Sequence, residues 1–374
     1  MKTSDWLKGL IEQAVAFLLR PRHLGLALIT VSSVVLVALG SGFDIRAKGL
    51  AGVADVLEFS TGQGLTGHLL SLVTYLMCAT WLIGLGMVVI TYWREWTDGD
   101  ARRVLVLELR GLVDTSDRPL LGSLPRSLPG LRRDCLVNVR PYLSVKPPQV
   151  GEALKELEHI RRELRQLRGD TSRENVTVVA GGVMQVPLQF YVGTLLDDEG
   201  AVQLYDWERT EKRWKTLTEP EDGSRFRITG LDGTGDARDV VLAVSASYQI
   251  AMADIAATFP DLPLVHMALE NPLPNTLWSE ADQAALAQQY LKTLGALANR
   301  GVKTVHLILA APATLSIRFG MAYDGRNMPQ LRCYQREAGQ HPPYPWSVLM
   351  PRDDEPVKFL PTPQPPVPLA LAAA

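Results

Sequence analysis

Cysteine is scarce. Cys78, Cys135 and Cys333 are the three in 374 residues, too few and too widely spaced for a disulfide framework or a zinc knuckle. They fit a reducing compartment. A surplus of either charge is also missing: 38 lysines and arginines meet 40 aspartates and glutamates, a formal net charge of −2. That excludes a protein that coats nucleic acid polymers without sequence preference, which needs a basic excess. The motifs of hydrolysis and group transfer are absent as well, with no H-E-x-x-H, no Cys-His metal spacing and no G-x-S-x-G. No catalytic residue, resident metal or cofactor is therefore expected, and the chain reads as a non-enzyme. Gly62, Gly64 and Gly67 do match G-x-G-x-x-G. No βαβ unit surrounds them, so they read as a turn.

Charge is missing locally too. Leu24 to Phe43 (LGLALITVSSVVLVALGSGF) and Leu69 to Trp93 (LLSLVTYLMCATWLIGLGMVVITYW) hold no charged side chain. Twenty helical residues span about 30 Å, the thickness of a bilayer's hydrocarbon core. One charge at a helix centre costs about 2.5–3.5 kcal/mol on insertion. Core helices of this length carry a polar stripe, and these carry none. Residues 24–93 thus read as a two-transmembrane hairpin. Tyr92, Trp93 and Trp96 with Arg94 form an interfacial belt. Trp81, in mid-span, is expected to pack on the first helix. Ala38 with Gly42, and Gly84 with Gly86, are small enough to allow close helix contact. Lys2, Lys8, Arg20 and Arg22 precede the first span, and Arg94, Arg102 and Arg103 follow the second, against Arg46 and Lys48 between them. This bias puts both termini in the cytoplasm of a multi-pass inner-membrane protein. Residues 1–23 read as an amphipathic helix on the inner leaflet, with Trp6, Leu7, Leu10, Ile11, Val15 and Leu18 on one side.

After a linker at 96–100 the pattern becomes that of an α/β protein. Val104–Leu109 (VLVLEL) is a buried strand, Arg110–Pro148 is turn-rich, and Val150–Arg168 has helical periodicity. Val176–Ala180 is a second strand ending at Gly181 and Gly182. The order then recurs: a strand in Asp239–Ser247, a helix capped by Ser279 and running to about Asn299, and a strand in Val302–Ala310. A displacement of 129 residues lays Val176 on Val305, Gly182 on Ala311, Phe190 on Phe319 and Tyr205 on Tyr334 without a gap. Two βαβ-type halves, about 101–235 and 236–340, imply a pseudo-symmetric unit. Residues 341–374 read as a proline-rich tail.

Open α/β sheets bind ligands beyond the carboxyl ends of their strands. The candidate loops are Arg110–Leu112, Gly181–Gln185, Ser245–Tyr248 and Ala310–Thr314. Within them, Arg110, Gly181, Gly182, Gln185, Ser245, Ser247, Ala311 and Pro312 are the candidate ligand contacts, joined by Tyr334 as a stacking surface. Small residues there admit a ligand to the backbone, and helix starts offer N–H groups to phosphate. Trp207, Trp214 and Tyr205 are further stacking candidates, though core packing suits each better. A cleft on a pseudo-twofold axis suits a cyclic, multiply phosphorylated ligand. Membrane-anchored nucleotide enzymes and membrane scaffolds are the competing classes. ELRGLVD (Glu108–Asp114) lacks the glycine-rich loop that the former requires.

VKTVHLILAAPATLSIRFGMAYDGRNMPQLRCYQRE (Val302–Glu337) resembles the C-terminal signature of SAVED domains. VVLAVSASYQI (Val240–Ile250) is similar to the opening of their second half, and ENPLPNTLWSEADQAALAQQYL to the segment leading into its helix. The resemblance covers roughly 101–340. It implies two fused CARF-like, Rossmann-like halves that sense a cyclic oligonucleotide, a di- or trinucleotide, made by a CD-NTase in CBASS anti-phage defence. It also implies homo-oligomers on ligand binding and a fused effector, here the hairpin in the lipid bilayer, that disrupts the inner membrane in abortive infection. A type III CRISPR-linked cyclic oligoadenylate sensor, or a sensor without pore activity, is the alternative that the resemblance leaves.

Overall fold

A computed structural model describes residues 21–40, 65–352 and 355–362. Residues 1–20 of the expected N-terminal amphipathic helix, Gly42, Gly62 and Gly64 lie outside them. The chain divides into two compact units, Met1–Asp100 and Ala101–Ala374.

The first unit holds α1 (Pro21–Gly40) and α2 (Leu65–Ala101). Gly67, expected in a turn, lies inside α2, and the helix runs on through the expected linker at 96–100. Among the described residues one helix is long and apolar enough to cross a membrane, over Ser71–Trp93 with a mean hydropathy of 2.0. A shorter apolar stretch covers Leu24–Val37. The helices touch where neither has a side chain. A Cβ on Gly25 would lie 2.9 Å from the Gly84 carbonyl oxygen, and one on Gly84 2.8 Å from that of Gly25. Small residues permit such an approach. Trp81 Nε1 donates to Ser33 Oγ at 3.1 Å, so Trp81 does pack on the first helix. Gly86, paired with Gly84 in the sequence reading, faces open space.

In the second unit, the first sheet contains β1 (Arg103–Arg110), β2 (Leu131–Asn138), β3 (Val176–Val183), β4 (Ala201–Glu208) and β5 (Arg213–Thr216), in the order β2-β1-β3-β4-β5. The second contains β6 (Arg227–Thr229), β7 (Asp239–Ser245), β8 (Leu264–Ala268), β9 (Thr304–Ala310), β10 (Gln330–Gln335), β11 (Trp346–Leu349) and β12 (Lys358–Pro361), in the order β12-β11-β10-β9-β7-β8-β6. Stripped of β6 and β12, the second order becomes β8-β7-β9-β10-β11 and repeats the first. Four parallel strands are followed by one antiparallel strand in both. Two Rossmann-like halves are thus present, and the second begins at β6, before the expected boundary at 235/236. The segment read as a tail contributes β11 and β12, where Trp346 and Val348 are buried against the core.

Buried strands read as continuous apolar runs because both faces are covered. In β1, Leu105, Leu107 and Leu109 enter the main core, while Val104 and Val106 enter a second cluster. The expected helix at 150–168 is two, α3 and α4 being the short turns Leu120–Ser123 and Arg140–Leu143, and α5 (Val150–Glu158) and α6 (Ile160–Arg168) meeting at His159. Four further helices, α7 (Val186–Leu196), α8 (Met252–Thr258), α9 (Glu280–Asn299) and α10 (Ala313–Ala322), complete the layers. Ser279 caps α9 by accepting from the Asp282 N–H at 3.2 Å.

α7 follows β3, α10 follows β9, and these two helices join the halves. A Cβ on Gly193 of α7 would strike the Ile317 carbonyl, and one on Gly320 of α10 would strike that of Phe190. Around this crossing Tyr290 stacks on Phe319 with ring centroids 4.3 Å apart, and Phe190 meets Tyr290 edge-on at 6.5 Å. One core runs through both halves.

Candidate ligand-binding site

The two halves turn their strand ends in the same way. Beyond β1, the N–H groups of Gly111 and Leu112 both donate to the Val183 carbonyl at the end of β3, at 3.0 and 2.8 Å. Beyond β7, those of Ala246 and Ser247 both donate to the Ala310 carbonyl at the end of β9, at 2.9 and 2.8 Å. Each central strand is thereby bent over its neighbour, and the next residues point outward. Leu112 is 56% exposed, Val113 37% and Tyr248 50%.

The turn after β1 is held from below. Glu108, buried in β1, accepts from Arg110 Nε at 2.7 Å, from Thr115 Oγ1 at 2.5 Å and from the Leu120 N–H at 2.7 Å. Further out, Asp114 pairs with Arg140 at 2.5 Å. The Ser116 N–H and this guanidinium hold the Asp114 carboxyl down at about 2. The turn after β7 has its own support. Ser245 Oγ lies 2.9 Å from His266 Nε2 and accepts from the Ile250 N–H at 3.2 Å. Burial depresses the His266 pKa and favours the neutral ring.

These contacts sort the expected site residues. Arg110 reaches the strand end, with its Nε engaged by Glu108 and Thr115. Ser245 is fully buried and holds the turn from inside, while Ser247 is buried and fixed through its N–H. Gln185 precedes α7, with its Oε1 buried and without a donor. Ala311 and Pro312 lead into α10. Three expectations are corrected. Gly181 and Gly182 lie within β3, where a Cβ on Gly181 would come within 2.8 Å of the Tyr205 oxygen and one on Gly182 would strike Leu109. Both are buried in the strand, where the sheet leaves no room for a side chain. Tyr334 is a core side chain: it meets Phe259 edge-on at 4.9 Å, its hydroxyl lies 2.8 Å from His306 Nδ1, and burial pushes its pKa up to about 12. Nor do the two helix starts offer open rows of N–H donors, because Pro187 and Pro312 have none and Thr314 faces Asp206. Tyr205, Trp207 and Trp214 are buried, as core packing required.

A family model described as the SMODS-associated and fused to various effectors sensor domain, SAVED, matches residues 160–350, just over half of the chain. The chain belongs to the SAVED family. A second model, the SAVED-fused 2TM effector domain, matches residues 4–154. The match is that of a two-transmembrane SAVED effector. Similar solved structures include the Acinetobacter baumannii Cap4 SAVED/CARF-domain containing receptor with the cyclic trinucleotide 2'3'3'-cAAA, at 11% identity and a TM-score of 0.45, and with 3'3'3'-cAAA, at 10% and 0.46. The Moraxella osloensis Cap4 receptor is similar at 11% and 0.42. Each covers 74% of this chain, which spans 58–60% of theirs. No curated protein matches the chain.

The two family segments meet between 154 and 160, inside the first Rossmann-like half, whereas the compact unit opens at Ala101. The effector segment therefore includes β1 and β2, and with them Arg110 and the turn that follows. The SAVED unit also shows what sequence reasoning passed over. Tyr248 closed one of the candidate loops without being singled out, and its place just past a buried strand was the available signal. A cleft of about 560 Å³ beside the end of β8, lined by Arg225, Arg227 and Glu270 among others, had no signal in the sequence. It adjoins the β7 end, because the Leu269 N–H donates to the Ser245 carbonyl at 3.0 Å. Arg225 is engaged there by Glu221 at 2.7 Å and Asp282 at 3.2 Å, whereas Arg227 is exposed. Among the described residues no group of three or more His, Cys, Asp or Glu side chains could hold a metal ion.

Proposed function

We propose that this SAVED protein is a membrane effector gated by a cyclic oligonucleotide, the product of a CD-NTase, in CBASS-type abortive defence. What carries the reading is the fusion: effector and sensor segments share one chain, and the sensor turns two equivalent strand ends outward. The ligand lies over the β1 and β7 ends, with Leu112, Val113 and Tyr248 against its bases and Arg110 and Gln185 within the same rim. Apolar and aromatic surfaces hold unstacked bases without sequence preference.

The labour divides along the chain. Residues 1–23 lie on the inner leaflet, 24–93 form the hairpin with both termini in the cytoplasm, and the unit from 101 senses the ligand. Ligand shared between copies favours the oligomer by its differential affinity. Oligomers gather the hairpins and disrupt the inner membrane. The chain acts by binding and assembly, without catalysis.

Detergent-solubilised full-length protein, titrated with cyclic di-, tri- and tetranucleotides, tests this through particle mass and melting temperature. Two cyclic triadenylates, 2'3'3'-cAAA and 3'3'3'-cAAA, head the panel. A rise in both readouts with one ligand supports the reading. A melting shift without growth in mass removes the assembly step, and no response to any member removes the ligand. Dye release from vesicles on adding the active ligand is the expected membrane readout.

A further inference from the structure

The two seams between the halves are built differently. From the first half, Asp206 of β4 reaches the start of α10 in the second. Its Oδ2 accepts from Thr314 Oγ1 at 3.3 Å and its Oδ1 from the Trp207 N–H at 2.8 Å, while the Thr314 N–H also favours the carboxylate. The half-buried position of Asp206 works against its ionised form, so these donors are what hold it there. Thr314 Oγ1 in turn accepts from Gln283 Nε2 at 2.9 Å, and the same nitrogen donates to the Leu277 carbonyl at 2.8 Å. Thr314 and Gln283 have no exposed surface.

The pseudo-equivalent seam has no such chain. Where β4 carries Asp206, β10 carries Gln335, whose Oε1 is buried without a donor. By the same displacement of 129 residues Thr314 falls on Gln185, just before α7, whose Oε1 is likewise buried without a donor. A contact needed only to pack two similar halves would be expected on both sides. This one occurs only beneath the turn Ala310–Pro312, whose Ala310 carbonyl anchors the outward bend after β7.

We propose that Asp206 is a positioning residue for the strand-end cleft of the opposite half, fixing the first turn of α10 and, through it, the Ala310 carbonyl that holds Tyr248 outward. This rests on the ligand reading above for its binding consequence, and not for its structural one.

The full-length protein in detergent supplies both readouts. Asp206→Ala and Thr314→Val are compared with the conservative Thr314→Ser and with Glu280→Gln. The last removes the Arg318–Glu280 contact to α10 without touching the chain. Amide hydrogen exchange at 313–316 and at 246–248 is expected to quicken at least about tenfold in the first two variants and to stay at the wild-type rate in the others. Affinity for whichever triadenylate binds wild type is expected to fall at least about tenfold in the same two, with Thr314→Ser retaining it. A lowered melting temperature with exchange at 246–248 and affinity both unchanged would show a merely structural contact and overturn the proposal. Wild type that binds no triadenylate would count against the ligand reading alone, and the exchange rates would still decide the role of Asp206.

Discussion

Tyr248 stands half in solvent beyond a buried strand, on a turn fixed by Ser245, His266 and the Ala310 carbonyl. Stacking of a base on an aromatic ring is worth about 1–3 kcal/mol by alanine substitution, or roughly five- to 150-fold in affinity. Tyr248→Ala should therefore weaken nucleotide binding at least fivefold by calorimetry, and Tyr248→Phe should bind like wild type. Equal affinity in the alanine variant would place the bases elsewhere. Glu108 makes the opposite kind of prediction. It is buried and collects donors from Arg110, Thr115 and Leu120, and breaking a buried ion pair from one side costs about 3–5 kcal/mol. Glu108→Ala should lose about that much in chemical denaturation, and a loss under 1 kcal/mol would show that Arg110 finds another partner.

At the scale of elements, two helix pairs depend on glycine for the same reason. Gly25 and Gly84 bring α1 onto α2, and Gly193 and Gly320 bring α7 onto α10. Forcing extra carbon into such a contact costs about 1–3 kcal/mol. Gly320→Ala should lower the melting temperature by several degrees while the fold is kept, as circular dichroism would show. In the membrane unit, Gly84→Leu should lengthen the distance between spin labels placed at Val31 and Leu82. An unchanged distance would mean that the Trp81–Ser33 bond alone sets the pair. The central strands β1, β3, β7 and β9 were readable as apolar runs because both their faces are covered. β2 was not. It is an edge strand in which Cys135 and Val137 are the buried side chains, so LRRDCLVN carries no clear period. β11 and β12 escaped because prolines flank them, and proline is tolerated at a sheet's edge. The candidate loops could be found from strand ends, but not which of their side chains face outward. Serines and glycines there proved to be internal supports, and the exposed residues were the apolar ones.

For the whole molecule, two half-buried imidazoles set a dependence on pH. Burial lowers the pKa of both His266 and His306 below the ordinary 6.5. The unfolded chain then binds protons that the folded one refuses, so their contribution to stability is intact above 6.5 and is lost as pH falls through the depressed values. Asp206, Asp134 and Asp197 have raised values from burial and act in the opposite sense, gaining from protonation. The histidine part is isolated by comparing slopes: between pH 7.5 and 5.5, stability should fall less steeply in His306→Gln than in wild type. Parallel slopes would mean that His306 keeps its ordinary value.

The carbonyls of Val183 and Ala310, each taking two N–H groups from the neighbouring strand's exit, belong to the main chain. No substitution short of proline can remove those donors. The two halves carry glycine against alanine, leucine against serine and valine against tyrosine at these positions, and the bend is the same in both. Kinship between the halves is consequently better preserved in backbone geometry than in spelling. A comparison that aligned doubled acceptors of this type, and ignored residue identity, would detect duplications whose letters have long since diverged.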